Sequence, residues 1–299
     1  MPAKWIRCPD GEKIEIEKCL EPKGCRMDKR CATLPYLRLV TYDREWRGVT
    51  PSMAGTGARQ IWLKATNDYT VSADSRAFAA LGTGVHGKLS LQQYTHNVLS
   101  EESLSDEQTK GIADLLEKDE FGDGYILEDY KTYGSYKVCK CLGIYQEDEV
   151  VLGNDGEPYR YKSGKKKGEI KTKKVTKIDP AQKDMREVEL QLNRYRILFE
   201  RYGFPISKIQ LFVIVRDGGT YIAQKRGIDK NTYIIPVKRL PDGKVIHFYK
   251  MLDIEVKMAF RKGYAPMCNS WETWNGRRCN GYCEVADICK KLGNKMEAA

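Results

Sequence analysis

The sequence predicts a mixed α/β (α+β) fold with cysteine-rich, metal-binding ends, and three observations carry that expectation. Strand-like apolar runs and helical periodicities alternate through the middle of the chain. Two of those runs flank Phe121-Gly122-Asp123-Gly124, the punctuation of a β-hairpin. Ten cysteines fall unevenly: Cys8, Cys19, Cys25 and Cys31 near one end, Cys268, Cys279, Cys283 and Cys289 near the other, and Cys139 and Cys141 between. In a reducing compartment, quartets at short spacing read as metal sites before disulfides.

The bulk numbers set the class. At 299 residues the chain can bury a sizeable core as one large domain or two small ones. We divide it into a Cys-rich N-terminal metal-binding segment (1–48), a core (49–265) with a basic insertion (157–178), and a C-terminal Cys-rich segment (266–299). Met1 to Asp10 holds no apolar run of signal-peptide type and no later window approaches a membrane span, so the expected location is the cytoplasm, that of the host if the protein is viral. A formal charge of +10, with 51 Lys and Arg against 41 Asp and Glu, favours a polyanionic partner and places nucleic acid first.

The N-terminal 48 residues are poor in apolar side chains beyond Ile14, Ile16, Leu20 and the Leu34-Pro35-Tyr36-Leu37 run. Thiolate ligation would fold such a segment, because metal-binding free energy becomes folding free energy. The spacing Cys8-x10-Cys19-x5-Cys25-x5-Cys31 is looser than paired Cys-x2-Cys, and reduced structural cysteines are the alternative to zinc. Thr50-Pro51-Ser52 opens a predicted helix running through Lys64, and a second helical stretch covers Ser75 to Leu81. Gly82 to Leu89 then approaches a phosphate-binding loop. It fails at Leu89, where a hydroxyl should meet Mg²⁺, and it follows helix-like sequence instead of a strand. That argues against ATPase or GTPase chemistry, and with no Walker motif any unwinding has to come from a partner. His86, in this stretch, is read either as a surface or core residue or as a metal or phosphate ligand.

The hairpin carries the chemistry. Side chains alternate along a strand, so Asp129 and Lys131 share one face of the second run, opposite Glu128 and Tyr130. A two-residue turn at Phe121-Gly122 pairs 114 with 129, and one at Gly122-Asp123 pairs 114 with 131; either puts Asp114 on the Asp129 and Lys131 face, whereas a three-residue loop would not. Two carboxylates and an ammonium on one face of an apolar hairpin are costly to bury unless something uses them. A divalent cation such as Mg²⁺ is the natural user, with the lysine orienting or deprotonating water. The competing reading is an edge hairpin whose charges face water.

Beyond the hairpin, Tyr136 to Val151 reads as a continuing strand. Arg160 to Lys177 carries nine Lys and Arg against the single acid Glu169, and reads as an exposed β-excursion with Tyr159 and Tyr161 interleaved for stacking, or else as a solvated insertion. A helix is predicted from Pro180 to about Tyr202, its core face marked by Val188, Leu192, Tyr195 and Phe199. Gln191 falls on or beside that face, where a polar amide needs a partner. A buried strand (209–215), a short helix around 221–226, a hairpin about Pro241-Asp242-Gly243 and an amphipathic helix from about Val245 to Lys262 follow. Cys279-x3-Cys283-x5-Cys289 is the sharper of the metal signals.

Asp114, Asp129-Tyr130-Lys131 and Gln191-x3-Tyr195, preceded by Gly84-Val85-His86 and followed by the cysteine triplet, together resemble the RecB-like branch of the PD-(D/E)xK nucleases. The likeness is greatest to CRISPR-associated iron–sulfur exonucleases and their phage relatives, and covers roughly Thr50 to Cys289. It implies a central mixed sheet flanked by helices, with Asp114 and Asp129 as Mg²⁺ or Mn²⁺ ligands, His86 as a further ligand and Lys131 positioning water. Gln191 and Tyr195 would support Lys131 and the DNA backbone. The implied activity is a metal-dependent exonuclease on single-stranded or frayed DNA ends, with a helicase, recombination or integration factor as a possible partner class and no membrane. The resemblance also implies a [4Fe-4S] cluster held by one upstream and three downstream thiolates. Here Gly57-Ala58-Arg59 stands where the family carries Cys-Pro-Arg, which leaves the fourth ligand open between Cys268 and an N-terminal cysteine, Cys31 foremost. The rival class is a Cys-rich nucleic-acid-binding or adaptation-type accessory factor whose nuclease centre is weak or idle.

Overall fold

The computed structural model describes residues 3–43, 45–92 and 97–296; Met1 and Pro2 of the N-terminal segment and residues 297–299 of the C-terminal one lie outside the described residues. In chain order the elements are β1 (Trp5–Arg7), β2 (Lys13–Glu15), α1 (Ile16–Leu20), α2 (Leu34–Thr41), α3 (Ala58–Thr66), β3 (Thr70–Ser72), α4 (Ala77–Leu89), β4 (Val98–Ser105), β5 (Lys110–Lys118) and β6 (Tyr125–Tyr133). There follow α5 (Ser135–Leu142), β7 (Ile144–Val150), β8 (Thr172–Ile178), α6 (Arg186–Arg201), β9 (Ile206–Val215), α7 (Tyr221–Lys225), β10 (Thr232–Pro236), α8 (Asp242–Lys262) and α9 (Ala286–Met296). The main sheet has the order β10-β9-β6-β5-β4. Its ladders are antiparallel except between β6 and β9: the Tyr125 N–H donates to Pro205 O at one end and the Arg216 N–H to Tyr133 O at the other, so these two strands run parallel. The chain is therefore α+β with a mixed sheet and helices. Among the described residues no helix is long and apolar enough to cross a membrane.

The chain divides into two compact units. The first comprises Met1–Asp129, Glu187–Ile209 and Lys238–Ala299, the second Tyr130–Arg186 and Gln210–Val237. In the first, β4 and β5 form a hairpin whose turn is set by Asp106: its carboxylate accepts the N–H groups of Gln108 and Thr109 at 3.0 Å each, a local cap of the kind Asp favours. The β5–β6 hairpin closes with the Asp119 N–H on Gly124 O at 3.0 Å, leaving 120–123 as the loop. Asp119 accepts from the Phe121 N–H at 3.1 Å and pairs with Lys208 at 2.9 Å. The loop is longer than either two-residue turn expected but is centred as the Phe121-Gly122 turn would be, which selects that register: Leu115 pairs with Glu128, and one step further sets Asp114 across from Asp129.

Helix α6 starts at Arg186, not at Pro180, because Pro180–Gln182 is a separate 3-10 turn capped by the Asp179 side chain. Its core face is as predicted, with Val188, Leu192, Tyr195 and Phe199 all buried. It also buries two arginines completely. Arg194 holds both Asp106 oxygens at 2.6 Å and Thr109 Oγ1 at 2.9 Å, which pins α6 to the β4–β5 turn. Arg196 reaches Glu200, Asp242 and the Leu240 carbonyl. Leu190 and Ile197 of α6 join Ile61 of α3 and Val245, Tyr249 and Val256 of α8 in one core.

The rest of the unit departs from expectation at two points, the helix from Thr50 and the hairpin at Pro241. The helix predicted from Thr50 breaks into a 3-10 turn at Pro51–Met53 and α3, since Gly57 is extended at the N-cap and a Cβ at Gly55 would collide with Glu187. Gly82 to Leu89 is helix, the second half of α4, in line with the helix-like sequence that argued against a phosphate loop. Pro241 caps α8 and makes no hairpin. The N-terminal segment forms a small sheet of order β2-β1-β3, with β3 parallel to β1. Its core, Ile6, Ile14, Cys19 and Leu37, is continuous with Trp62, Leu63, Ala259 and Val285.

In the second unit β9 pairs with β10, and β7 with β8 in a separate two-stranded sheet. The β-excursion is observed: bridges Leu152–Pro158 and Arg160–Ile170 extend it toward turns with Gly164 and Gly168 at positive φ. The strand expected over Tyr136–Val151 begins only at Ile144. Its first half is α5, nucleated by Ser135, whose N–H and hydroxyl both donate to Asp217 at 2.6 Å, and ended by Gly143 in the left-handed region at φ 73°. Alternation in Tyr-Lys-Val-Cys-Lys-Cys mimicked a strand; burial of Val138, Cys139 and Cys141 follows helical spacing.

Candidate active site

The ladders align three carboxylates in a row. Ser100 pairs with Leu115 and Glu102 with Ala113, so Glu101 stands across from Asp114, which in turn stands across from Asp129. Residues directly opposite in a sheet project to the same face, and like charges so placed repel. Asp114 is 9% exposed and Asp129 2%, while Glu101 is exposed at the rim. Glu101 also holds φ 55°, a left-handed backbone that costs a non-glycine residue free energy and marks functional positions.

Two helices close on this row. From α4, His86 Nδ1 lies 3.4 Å from Asp114 Oδ1, and the ligand atoms of His86, Glu101 and Asp114 all lie within 4.8 Å of one another. From α6, Gln191 Nε2 donates to Asp129 Oδ1 at 3.0 Å, which answers the question of what partners that amide. Tyr195, one turn on, has its phenol pushed well above the usual range, first by burial and then by the charges of Asp129, Asp114 and Glu101, against an opposing Ile112 N–H. Its ring needs Gly111 on β5: a Cβ there would come within 2.8 Å of the Tyr195 hydroxyl and 2.7 Å of Pro51 Cδ.

Of the residues singled out in the sequence, His86, Asp114, Asp129, Gln191 and Tyr195 come together in the first unit. Lys131 is two residues past Asp129 on β6, on the same strand face by alternation, in the stretch that belongs to the second unit. Glu101 was missed. The signal for it was the Asp106 to Thr109 turn, whose two central residues fix a register that places 101 opposite 114. Three carboxylates and one imidazole form an oxygen-rich donor set, and that suits a hard divalent cation better than a soft metal.

The C-terminal cysteines gather beside α3. Burial pushes the Cys268 thiol up to about 11, with Glu272 and the sulfurs of Cys289 and Cys283 adding to it. Burial likewise raises the Cys283 thiol, with Cys279 and Cys289 adding to it. A Cβ at Gly57 would lie 2.8 Å from Cys268 Sγ, so that sulfur fills the space a side chain at 57 would need. Arg59, 3% exposed, donates from Nε to Cys289 Sγ at 3.0 Å and from Nη1 to the Ala265 carbonyl. The four thiols thus lie in one another's field, with a buried guanidinium donating to one of them. Cys139 and Cys141 are buried on α5 in the second unit. Compared with known proteins, the chain matches no family model and no curated protein.

Proposed function

We propose that the chain is a metal-dependent deoxyribonuclease of the RecB-like PD-(D/E)xK type, hydrolysing phosphodiester bonds as an exonuclease at single-stranded or frayed DNA ends. The observation that carries this reading is the buried Asp114–Asp129 pair, flanked by Glu101 and His86 and gripped by Gln191 from α6. Asp114, Asp129, Glu101 and His86 would hold Mg²⁺ or Mn²⁺, which when bound would polarise the scissile phosphate and lower the pKa of attacking water.

The chain's own residues supply the rest. Gln191 fixes one oxygen of Asp129 and leaves the carboxylate's orientation defined. Tyr195 fills the floor against Gly111 and keeps water from the buried side of the row. Lys131, on the face shared with Asp129, would hold its ammonium toward the attacking water and the phosphate. In the same reading Cys268, Cys279, Cys283 and Cys289 hold a [4Fe-4S] cluster, with Cys268 taking the place vacated at Gly57. Cluster formation is read independently of cleavage, from iron content and visible absorption.

The test is cleavage of end-labelled DNA with Mg²⁺ or Mn²⁺. Asp129→Asn and Lys131→Ala should each abolish turnover and leave DNA binding near wild type, since removing a charged site group relieves strain more often than it adds any. Wild-type cleavage by both variants would overturn the assignment. A wild-type chain that binds DNA but cuts none of it would favour the accessory-factor reading.

A further inference from the structure

The N-terminal cysteines form a site that the nuclease reading does not use. Cys8 follows β1, Cys19 lies in α1, and Cys25 and Cys31 lie in 21–33, a stretch made of turns and bends. Despite these separate origins all four line one pocket, together with Ile14 and Leu37. The backbone bends tightly to bring them there. The Cys8 N–H donates to Glu12 O at 2.7 Å and the Gly11 N–H to Cys8 O at 3.0 Å, and Lys23 and Asp28 both take left-handed conformations, at φ 60° and 56°. Arg30 ties the irregular stretch to α1, donating to the carbonyls of Cys19 and Glu21 at 2.6 Å each.

Besides these, the stretch is tied by the Arg26–Asp10 ion pair and by Ala32 packed on the core. Its large apolar side chain, Met27, is 40% exposed, and a structureless stretch this long inside a compact unit is uncommon without a function or an added tie. None of the four cysteines is in a disulfide. Four unpaired cysteines around one pocket, two of them on an irregular stretch, have the composition of a structural metal site.

We infer that Cys8, Cys19, Cys25 and Cys31 ligate a thiolate-bound metal centre of their own, separate from the C-terminal quartet, and that this centre folds residues 21–33. The shared chemistry is tetrathiolate ligation of a zinc ion or of iron. The two quartets are not independent mechanically: Cys19 belongs to the same buried core as Val285, with Cys8, Cys283 and Cys289 packed against it. A metal at the N-terminal site therefore steadies the core on which the C-terminal cysteines rest.

The experiment uses the full chain, purified without oxygen and analysed for zinc and iron. Cys25→Ser with Cys31→Ser should remove one centre, either one zinc or one complement of iron, and leave the metal that Cys283→Ser removes. Loss of the same metal by both variants would overturn separate sites in favour of a shared one. Unchanged metal content in a folded N-terminal variant would overturn the site altogether. Because that variant is at risk of misfolding, the wild type supplies a second readout by alkylation and mass mapping. Cys8, Cys19, Cys25 and Cys31 should resist labelling in the metal-replete protein and label after chelation, with new proteolytic cuts confined to 21–33. Rapid labelling of all four before chelation would refute the proposal whatever the metal content.

Discussion

Replacing Glu101 with glutamine tests the carboxylate row without relying on turnover. The ligand atoms of Glu101 and Asp114 lie within 4.8 Å, and two unit charges at that distance repel by about 3.5 kcal/mol at an effective dielectric of 20 and about 1 kcal/mol in water. Glu101 is exposed, so the lower figure governs. Without divalent cation, Glu101→Gln should therefore gain about 1 kcal/mol, a rise of roughly 2–4 °C in Tm, and the gain should shrink in high salt. With Mn²⁺ at about 100 times its Kd the wild type should gain about 2.7 kcal/mol, and the variant, one ligand short, distinctly less. Thermal melts in chelator and in Mn²⁺ give both numbers, with Glu102→Gln, one residue along and on the other face, as the control. A variant that loses stability in chelator and keeps the full Mn²⁺ gain would show that the three acids do not share a cation.

Three further outcomes follow from other parts of the molecule. Changing Lys165, Lys166 and Lys167 together to Ala should weaken DNA binding and flatten the dependence of log K on log salt by about 0.9 per lost phosphate contact, read by titration at several salt concentrations. Gly57→Ala should expel Cys268 Sγ from its place 2.8 Å away and lower iron content while the protein stays folded; full iron retention would remove Cys268 from the ligand set. Burial pushes the Asp106 carboxyl up, but the Gln108 and Thr109 N–H groups and the Arg194 guanidinium outweigh it and hold the group below the usual carboxylate range. Its stabilisation is thus present above about pH 4 and is lost as pH falls through the depressed value, so Asp106→Asn should flatten the acid limb of a stability profile.

How much of this could be read from the chain depends on how local each determinant is. The face of α6 was legible because helical period alone fixes it, and the placing of Asp114 on the face of Asp129 and Lys131 was legible because parity survives a longer loop with an even number of residues, though which of the two it opposes was not. The α5 helix was not. Its nucleation rests on Asp217, whose carboxylate captures Ser135 from 82 residues away, and without that capture the local sequence alternates like a strand. Glu101 lay in a weakly patterned segment whose meaning came from its neighbour strand.

The cysteines show the same limit more sharply. Gly57 read as the loss of a ligand, because the sequence records only that a side chain is absent there. In the fold that absence is what admits a sulfur: Cys268 Sγ sits where a Cβ at 57 would intrude, and the Glu272 carboxylate crowds the same spot at 2.6 Å. A side chain at 57 would require Cys268 Sγ and the Glu272 carboxylate to move aside. Glycine at 57 is thus what lets the loop after α8 bring Cys268 against the head of α3, where Arg59 holds Cys289.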